Sequence, residues 1–170
     1  MRSNKLHTQR AVNTINAYLD GYFYTTAKSG DTSVSVLYNE QNEDEGVMVS
    51  LFDRPILKIL KKADRLTELL VFSGFYYDGE GNPTRTARER LNGLLDALGD
   101  RGVIPKEVRV IIDPEYQVAY VKHGENRIAL NRDYCDVVGI KPDSEEFSFT
   151  VLDPTRDEKH KSIMFLKQEA

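Results

Sequence analysis

Short segments in which apolar and polar residues alternate recur along this chain of 170 residues. The alternation is clearest at Val108, Val110 and Ile112, and it recurs in residues 32–38 and 147–151. A side-chain period of two is typical of a β-strand that buries one face. Because turn residues separate many of these segments, the pattern predicts a mainly antiparallel sheet.

The individual strands follow from the same pattern. Residues 32–38 and 47–52 form a hairpin whose tip is the acidic stretch NEQNEDEG at 39–46. Five strands are predicted after the middle of the chain, at 107–113, 117–122, 127–130, 147–151 and 162–167.

Other segments have helical spacing. The apolar residues of 8–20 lie on one helical face, with Thr8 as the predicted N-cap and Gly21 as the stop. Residues 133–140, DYCDVVGI, predict a short helix that ends near Gly139.

The clearest helix covers residues 87–98. Thr86 and Glu89 have the spacing of a capping box, a leucine stripe follows, and Gly99 is the expected glycine after the last turn. We therefore predict a central amphipathic helix.

Residues 55–72 permit two interpretations. They fit a helix that starts at Pro55, and periodicity by itself favours that choice. They also fit two strands, PILKIL and TELLVF, joined by the polar turn KKADR.

The composition excludes several classes of protein. The formal charge of −4 argues against coating nucleic acid by bulk electrostatics, and Cys135, the single cysteine, cannot form an internal disulfide. Apolar runs are too short for a membrane span or a secretory signal. These features predict a cytoplasmic protein that does not associate with a membrane. We expect one domain over 1–170, or two small subdomains that meet near 101–105.

Catalytic motifs are weak in this sequence. His7, His123 and His160 are far apart, which is not the spacing of a zinc site. The remaining possibility is a metal-dependent hydrolase that uses two of four aspartates near predicted strand ends or in the short helix, namely Asp53, Asp113, Asp133 and Asp136. We expect no enzyme activity, no cofactor and no bound metal.

The sharpest local cluster surrounds the start of the central helix. Arginines there could contact phosphates or another anion, and two tyrosines just upstream offer rings for stacking. Solvated arginines paired with Glu89 and Asp96 are the simpler interpretation. The candidate residues for nucleic-acid or anion binding are Tyr76, Tyr77, Arg85, Arg88, Arg90 and Asn92.

The segment SGFYYDGEGNPTRTARERLNGLL resembles a motif of small proteins from tailed phages and related mobile elements, for which no activity is established. In that motif a strand ends in Gly-Trp, and a threonine-rich turn leads into a helix reading Arg-x-Arg-Leu-Asn. The matching residues are Gly74, Thr84, Thr86, Arg88, Arg90, Leu91 and Asn92, while Phe75 replaces the Trp. The resemblance covers about residues 32–98 and implies strands for residues 55–72.

Together these observations predict an α+β fold, mainly antiparallel sheet with an N-terminal helix and a central amphipathic helix. We expect a non-catalytic phage or mobile-element accessory protein that binds a macromolecule. A protein partner is favoured, because the chain has nine tyrosines, a residue type enriched at interfaces. The alternatives are nucleic-acid binding through Arg85, Arg88 and Arg90, and the metal-dependent hydrolase.

Overall fold

The computed structural model describes residues 2–62, 65–72, 84–115, 118–130, 137–140, 147–152 and 162–166. The helices are α1 (Arg2–Leu19) and α2 (Arg85–Asp100). The strands are β1 (Thr26–Ser29), β2 (Thr32–Tyr38), β3 (Asp44–Leu51), β4 (Arg54–Lys62), β5 (Arg65–Phe72), β6 (Arg109–Asp113), β7 (Val118–His123), β8 (Asn126–Leu130), β9 (Val137–Ile140), β10 (Phe147–Leu152) and β11 (Ser162–Leu166).

Two antiparallel sheets contain the described strands. Eight strands form the larger sheet in the order β1-β2-β3-β4-β5-β9-β10-β11, and β6-β7-β8 form the smaller one. The chain leaves the larger sheet after β5, builds α2 and the smaller sheet, and returns at β9 to pair with β5. The predicted α+β class with a mainly antiparallel sheet is confirmed.

Both strands predicted within residues 55–72 are present. β4 and β5 pair from Leu57 opposite Val71 to Lys62 opposite Arg65. Ile56, Leu57 and Ile59 are buried, and this burial on both faces explains why a helical stripe could also be drawn through the segment. The helix that starts at Pro55 is therefore the wrong interpretation.

The two helices end in the same way. In α1 the Tyr22 N–H donates to the Ala17 carbonyl, and Gly21 has a φ of 83°. In α2 the Val103 N–H donates to the Leu98 carbonyl. This is the Schellman arrangement, in which a residue in the left-handed conformation follows the last turn.

Several predicted boundaries were wrong. α1 begins at Arg2, so Thr8 lies inside the helix and does not cap it. α2 begins after Thr84, whose side chain makes no capping bond, so the Thr86 and Glu89 capping box is not the helix start. Gly99 is buried within α2, and the left-handed position that ends this helix is Gly102, with a φ of 73°.

The predicted short helix at 133–140 is also wrong where the structure describes it. Val137–Ile140 is strand β9, placed between β5 and β10. Two β-branched valines and an isoleucine fit this position, and pairing on both sides outweighs the local pattern. Residues 133–136 lie outside the described residues.

The main core lies between the helices and the sheets. α1 packs against α2 and strands β1–β3, while α2 contacts β4 and β6. The leucine stripe of α2 is fully buried, at Leu91, Leu94, Leu95 and Leu98. Each of these side chains contributes about 1.5–3 kcal/mol of burial free energy, which fixes α2 against both sheets. Within the described residues, neither helix is long and apolar enough to cross a membrane.

Candidate functional site

A groove of about 760 Å³ lies where the N-terminal half of α1, the first half of α2 and strand β6 meet. It is formed by both polar and apolar side chains. Those important for its chemistry are Lys5 and Gln9 of α1, Arg88 and Asn92 of α2, and Arg109 and Ile112 of β6.

Asn92 joins α2 to β6 at the floor of this groove. Its Nδ2 donates to the Val110 carbonyl at 2.9 Å, and its Oδ1 accepts from the Val110 N–H at 2.7 Å. The side-chain amide thus takes the place that a neighbouring strand would occupy at Val110. Asn92, a predicted site residue, does lie in the groove, where its amide holds the backbone of β6.

Arg88 is the predicted arginine that the structure brings into the groove. It is partly buried, and one turn separates it from Asn92 on the same side of α2. Neither Arg88 nor Lys5 forms an ion pair with another described residue. Two cations without a carboxylate partner therefore line this groove in the part of the chain that the structure describes.

The other two arginines are placed differently. Arg85 is two-thirds exposed and pairs with Glu89, whose Oε1 lies 3.2 Å from Arg85 Nε. Arg90 is only 2% exposed. Its Nε donates to Thr32 Oγ1 at 2.9 Å and its Nη1 to Thr8 Oγ1 at 2.7 Å. The interior position excludes Arg90 from a surface patch with Arg85 and Arg88.

Burial lowers the pKa of the Arg90 guanidinium, and the negative charges of Glu89 and Asp31 oppose that shift. Arg90 instead ties three elements together, because Thr8 belongs to α1 and Thr32 begins β2. Its role in this geometry is to fix the helix pair on the larger sheet, beneath the groove.

The sequence did not predict the groove residues that belong to α1 and β6. Lys5 and Gln9 lie about 80 positions before Arg88, and Arg109 lies 21 positions after it. Arg109 Nη2 is 3.8 Å from Asp96 Oδ2, a long contact between two half-exposed side chains. The alternation that predicts β6 is a sequence signal for Ile112. No local sequence pattern predicts that α1 lies beside this strand.

The tyrosines predicted for stacking, Tyr76 and Tyr77, lie outside the described residues. Three exposed tyrosines follow the other end of α1 or end β2: Tyr22, Tyr24 and Tyr38. The Tyr24 hydroxyl donates to the Gly21 carbonyl, and the Tyr38 hydroxyl donates to the Tyr24 carbonyl. These rings are separate from the groove, which is formed by the N-terminal part of α1.

The acids considered for a metal site are also dispersed in sequence. Asp53 occupies a turn with a φ of 62°, Asp113 ends β6, and Asp133 and Asp136 lie outside the described residues. Among the residues described, no three His, Cys, Asp or Glu side chains form a group that could hold a metal ion.

No protein-family model matches the sequence, and no curated protein or solved structure is significantly similar to it.

Proposed function

We propose that this chain is a non-catalytic binding protein and that its groove takes an anionic segment of a protein partner. The observation that carries the proposal is the pair Lys5 and Arg88, two cations without carboxylate partners among the described residues, beside strand β6 at the edge of the smaller sheet. An acidic segment would supply the missing carboxylates, and Arg88 can donate two parallel hydrogen bonds to one of them.

A protein segment fits this surface better than nucleic acid does. Affinity for nucleic acid grows with the number of phosphates neutralised, and the burial of Arg90 leaves fewer arginines available than the sequence indicated. The groove also contains the acid Glu89 and the apolar residues Ile111 and Ile112. This mixture of charge and apolar surface is typical of a protein interface.

The resemblance to proteins of tailed phages and mobile elements supports an accessory role. In such a setting the partner would be a host protein, and the chain would act by occupying one of its acidic segments. The proposal includes no chemical step and no cofactor.

The test is capture of partners from a host lysate with the wild-type chain, an Arg88→Glu variant and a Lys106→Glu control. Lys106 is exposed and outside the groove, which makes it a control for position. Both variants replace a cation by glutamate, so they change the net charge equally. We expect a stoichiometric partner that Lys106→Glu retains and Arg88→Glu loses by at least about tenfold, since like charges would then face each other.

Two results would contradict the proposal. One is a partner that binds both variants equally, which would place the interface elsewhere. The other is binding of a single-stranded 20-nucleotide DNA or RNA at low salt that Arg88→Glu abolishes, which would favour the nucleic-acid alternative.

A further inference from the structure

We propose that the groove takes its partner as an added β-strand: an extended acidic segment pairs with the outer edge of β6 at Ile112. This inference rests on the proposed function and specifies the conformation and chemistry of the bound segment. It depends on which backbone groups of β6 point away from β7, and the contact with Asn92 shows this.

The Asn92 contact shows which way each residue of β6 directs its backbone. In an antiparallel ladder, the N–H and C=O of one residue point to the same side, and those of the next residue point to the opposite side. Val110 directs both groups away from β7, toward Asn92. Ile111, opposite Tyr120, therefore bonds to β7, and Ile112, opposite Ala119, directs its N–H and C=O outward again.

Among the described residues, no strand and no side chain pairs with the outward groups of Ile112. β6 is an edge strand of the smaller sheet, and Ile112 lines the groove. No hydrogen bond to the backbone of Ile112 from outside its own sheet occurs among the described residues. An edge strand with free N–H and C=O groups is a template for another extended chain.

The surrounding charges determine what kind of strand fits. Lys5, Arg88 and Arg109 line the same groove as Ile112. Alternate side chains of an added strand project to the same face. A segment with carboxylates at alternate positions would direct them to one side together, and they could pair with basic side chains of the groove while its backbone pairs with Ile112. Asn92 blocks pairing at Val110, and β6 ends at Asp113, so the pairing with the added strand is centred on Ile112.

The probe for this inference is an eight-residue peptide in which four valines alternate with four glutamates, blocked at both ends. Two N-methylated isomers serve as matched controls, one methylated at the valine amides and the other at the glutamate amides. Both keep the charge and the composition, but each blocks a different edge of the extended peptide. Strand addition uses one edge, so we expect one isomer to bind at least about tenfold more weakly than the other.

The protein variants test the same bond from the other side. Ile112→Pro removes the outward N–H without removing a bond to β7, and Ile112→Val keeps that N–H. We expect the proline variant to lose at least about tenfold in peptide affinity and the valine variant to stay within about twofold. Circular dichroism reports whether each variant folds, and the methylated isomers test the wild-type protein if the proline variant does not.

Amide hydrogen exchange provides an independent measurement. We expect the Ile112 N–H to exchange rapidly in the free protein and to become protected when the peptide binds. Protection in the free protein would show that the chain already covers this edge, and would overturn the inference.

The inference also fails if the two methylated isomers bind equally or if the unmodified peptide shows no binding at millimolar concentration. The proposed function fails separately, when Arg88→Glu leaves capture of the natural partner unchanged. A partner that Arg88→Glu abolishes but Ile112→Pro retains would support a charged groove and overturn strand addition.

Discussion

Gly93 in α2 packs directly on Thr8 of α1, so closely that a β-carbon at position 93 would lie 2.3 Å from Thr8 Cγ2. Thr8 cannot simply turn away, because its hydroxyl accepts a hydrogen bond from Arg90 Nη1 at 2.7 Å. The contact therefore fixes how closely the two helices approach. Since both residues also line the groove, helix packing and the shape of the groove depend on the same contact.

Gly93→Ala should destabilise the protein, although alanine is ordinarily favoured over glycine in a helix by about 1 kcal/mol. The added methyl group must displace Thr8 or separate the helices, and overpacking of this kind costs about 1–3 kcal/mol. Urea unfolding of the variant measures the change in free energy of unfolding. A more stable Gly93→Ala protein would contradict the packing described here.

The matched control is Thr8→Ser, which removes Cγ2 and keeps the hydroxyl that binds Arg90. In this background Gly93→Ala should be neutral or stabilising, because the clashing atom is gone. The double-mutant cycle isolates the contact between the two positions.

Substitution of Arg90 should reduce the stability of the protein, whereas substitution of Arg88 should reduce partner binding. Arg90→Met leaves the hydroxyls of Thr8 and Thr32 without their buried donor, so we expect a loss of about 2–3 kcal/mol in the free energy of unfolding. Arg88→Met should change that free energy by less than about 0.5 kcal/mol, as is usual for substitutions away from the core.

Thermal unfolding and partner binding are measured on each variant, and Arg85→Met is the control. Arg85→Met, at an exposed ion pair, should leave both nearly unchanged. Arg88→Met should weaken partner binding in a protein that remains fully folded. Equal stability of the Arg90→Met and Arg85→Met proteins would argue against the buried role of Arg90.

Helix geometry explains which part of the arginine cluster could be inferred from sequence. Residues 88 and 92 are one turn apart and share a face, whereas residue 90 lies about 200° around the helix from residue 88. Arg88 and Asn92 accordingly reach the groove, and Arg90 joins the buried leucine face. Three arginines so close in sequence suggest a single surface patch. The helical period instead places them on different faces of α2.

The fold was predictable where the pattern is local, and less so where distant parts of the chain meet. The alternation of apolar and polar residues is sufficient to predict β6. The short segment at Val137–Ile140 depended on pairing with β5, nearly 70 residues earlier, so its local sequence suggested a helix instead. The groove combines α1, α2 and β6, and the packing that brings Lys5 near Arg88 has no signature in either segment.

Tyr18 gives stability a dependence on alkaline pH. Its hydroxyl donates to Asp44 Oδ1 at 2.8 Å, and Lys61 pairs with the same carboxylate at 2.8 Å. Burial raises the pKa of Tyr18, and the hydrogen bond and negative charge of Asp44 raise it further. The folded protein therefore keeps this proton at pH values where the unfolded chain releases it.

An unfolded tyrosine titrates near pH 10. Above about that pH the unfolded state binds fewer protons than the folded state, so the contribution of Tyr18 to stability is complete below about pH 10 and is lost as pH rises toward the folded pKa. We expect Tyr18→Phe to be less stable than wild type at pH 8, and the difference to shrink by up to about 1.4 kcal/mol per pH unit above pH 10. Urea unfolding at pH 8 and pH 11 measures this difference. Tyr22→Phe, at a ring that is 81% exposed, should show no such change, and a Tyr18→Phe difference independent of pH would contradict the prediction.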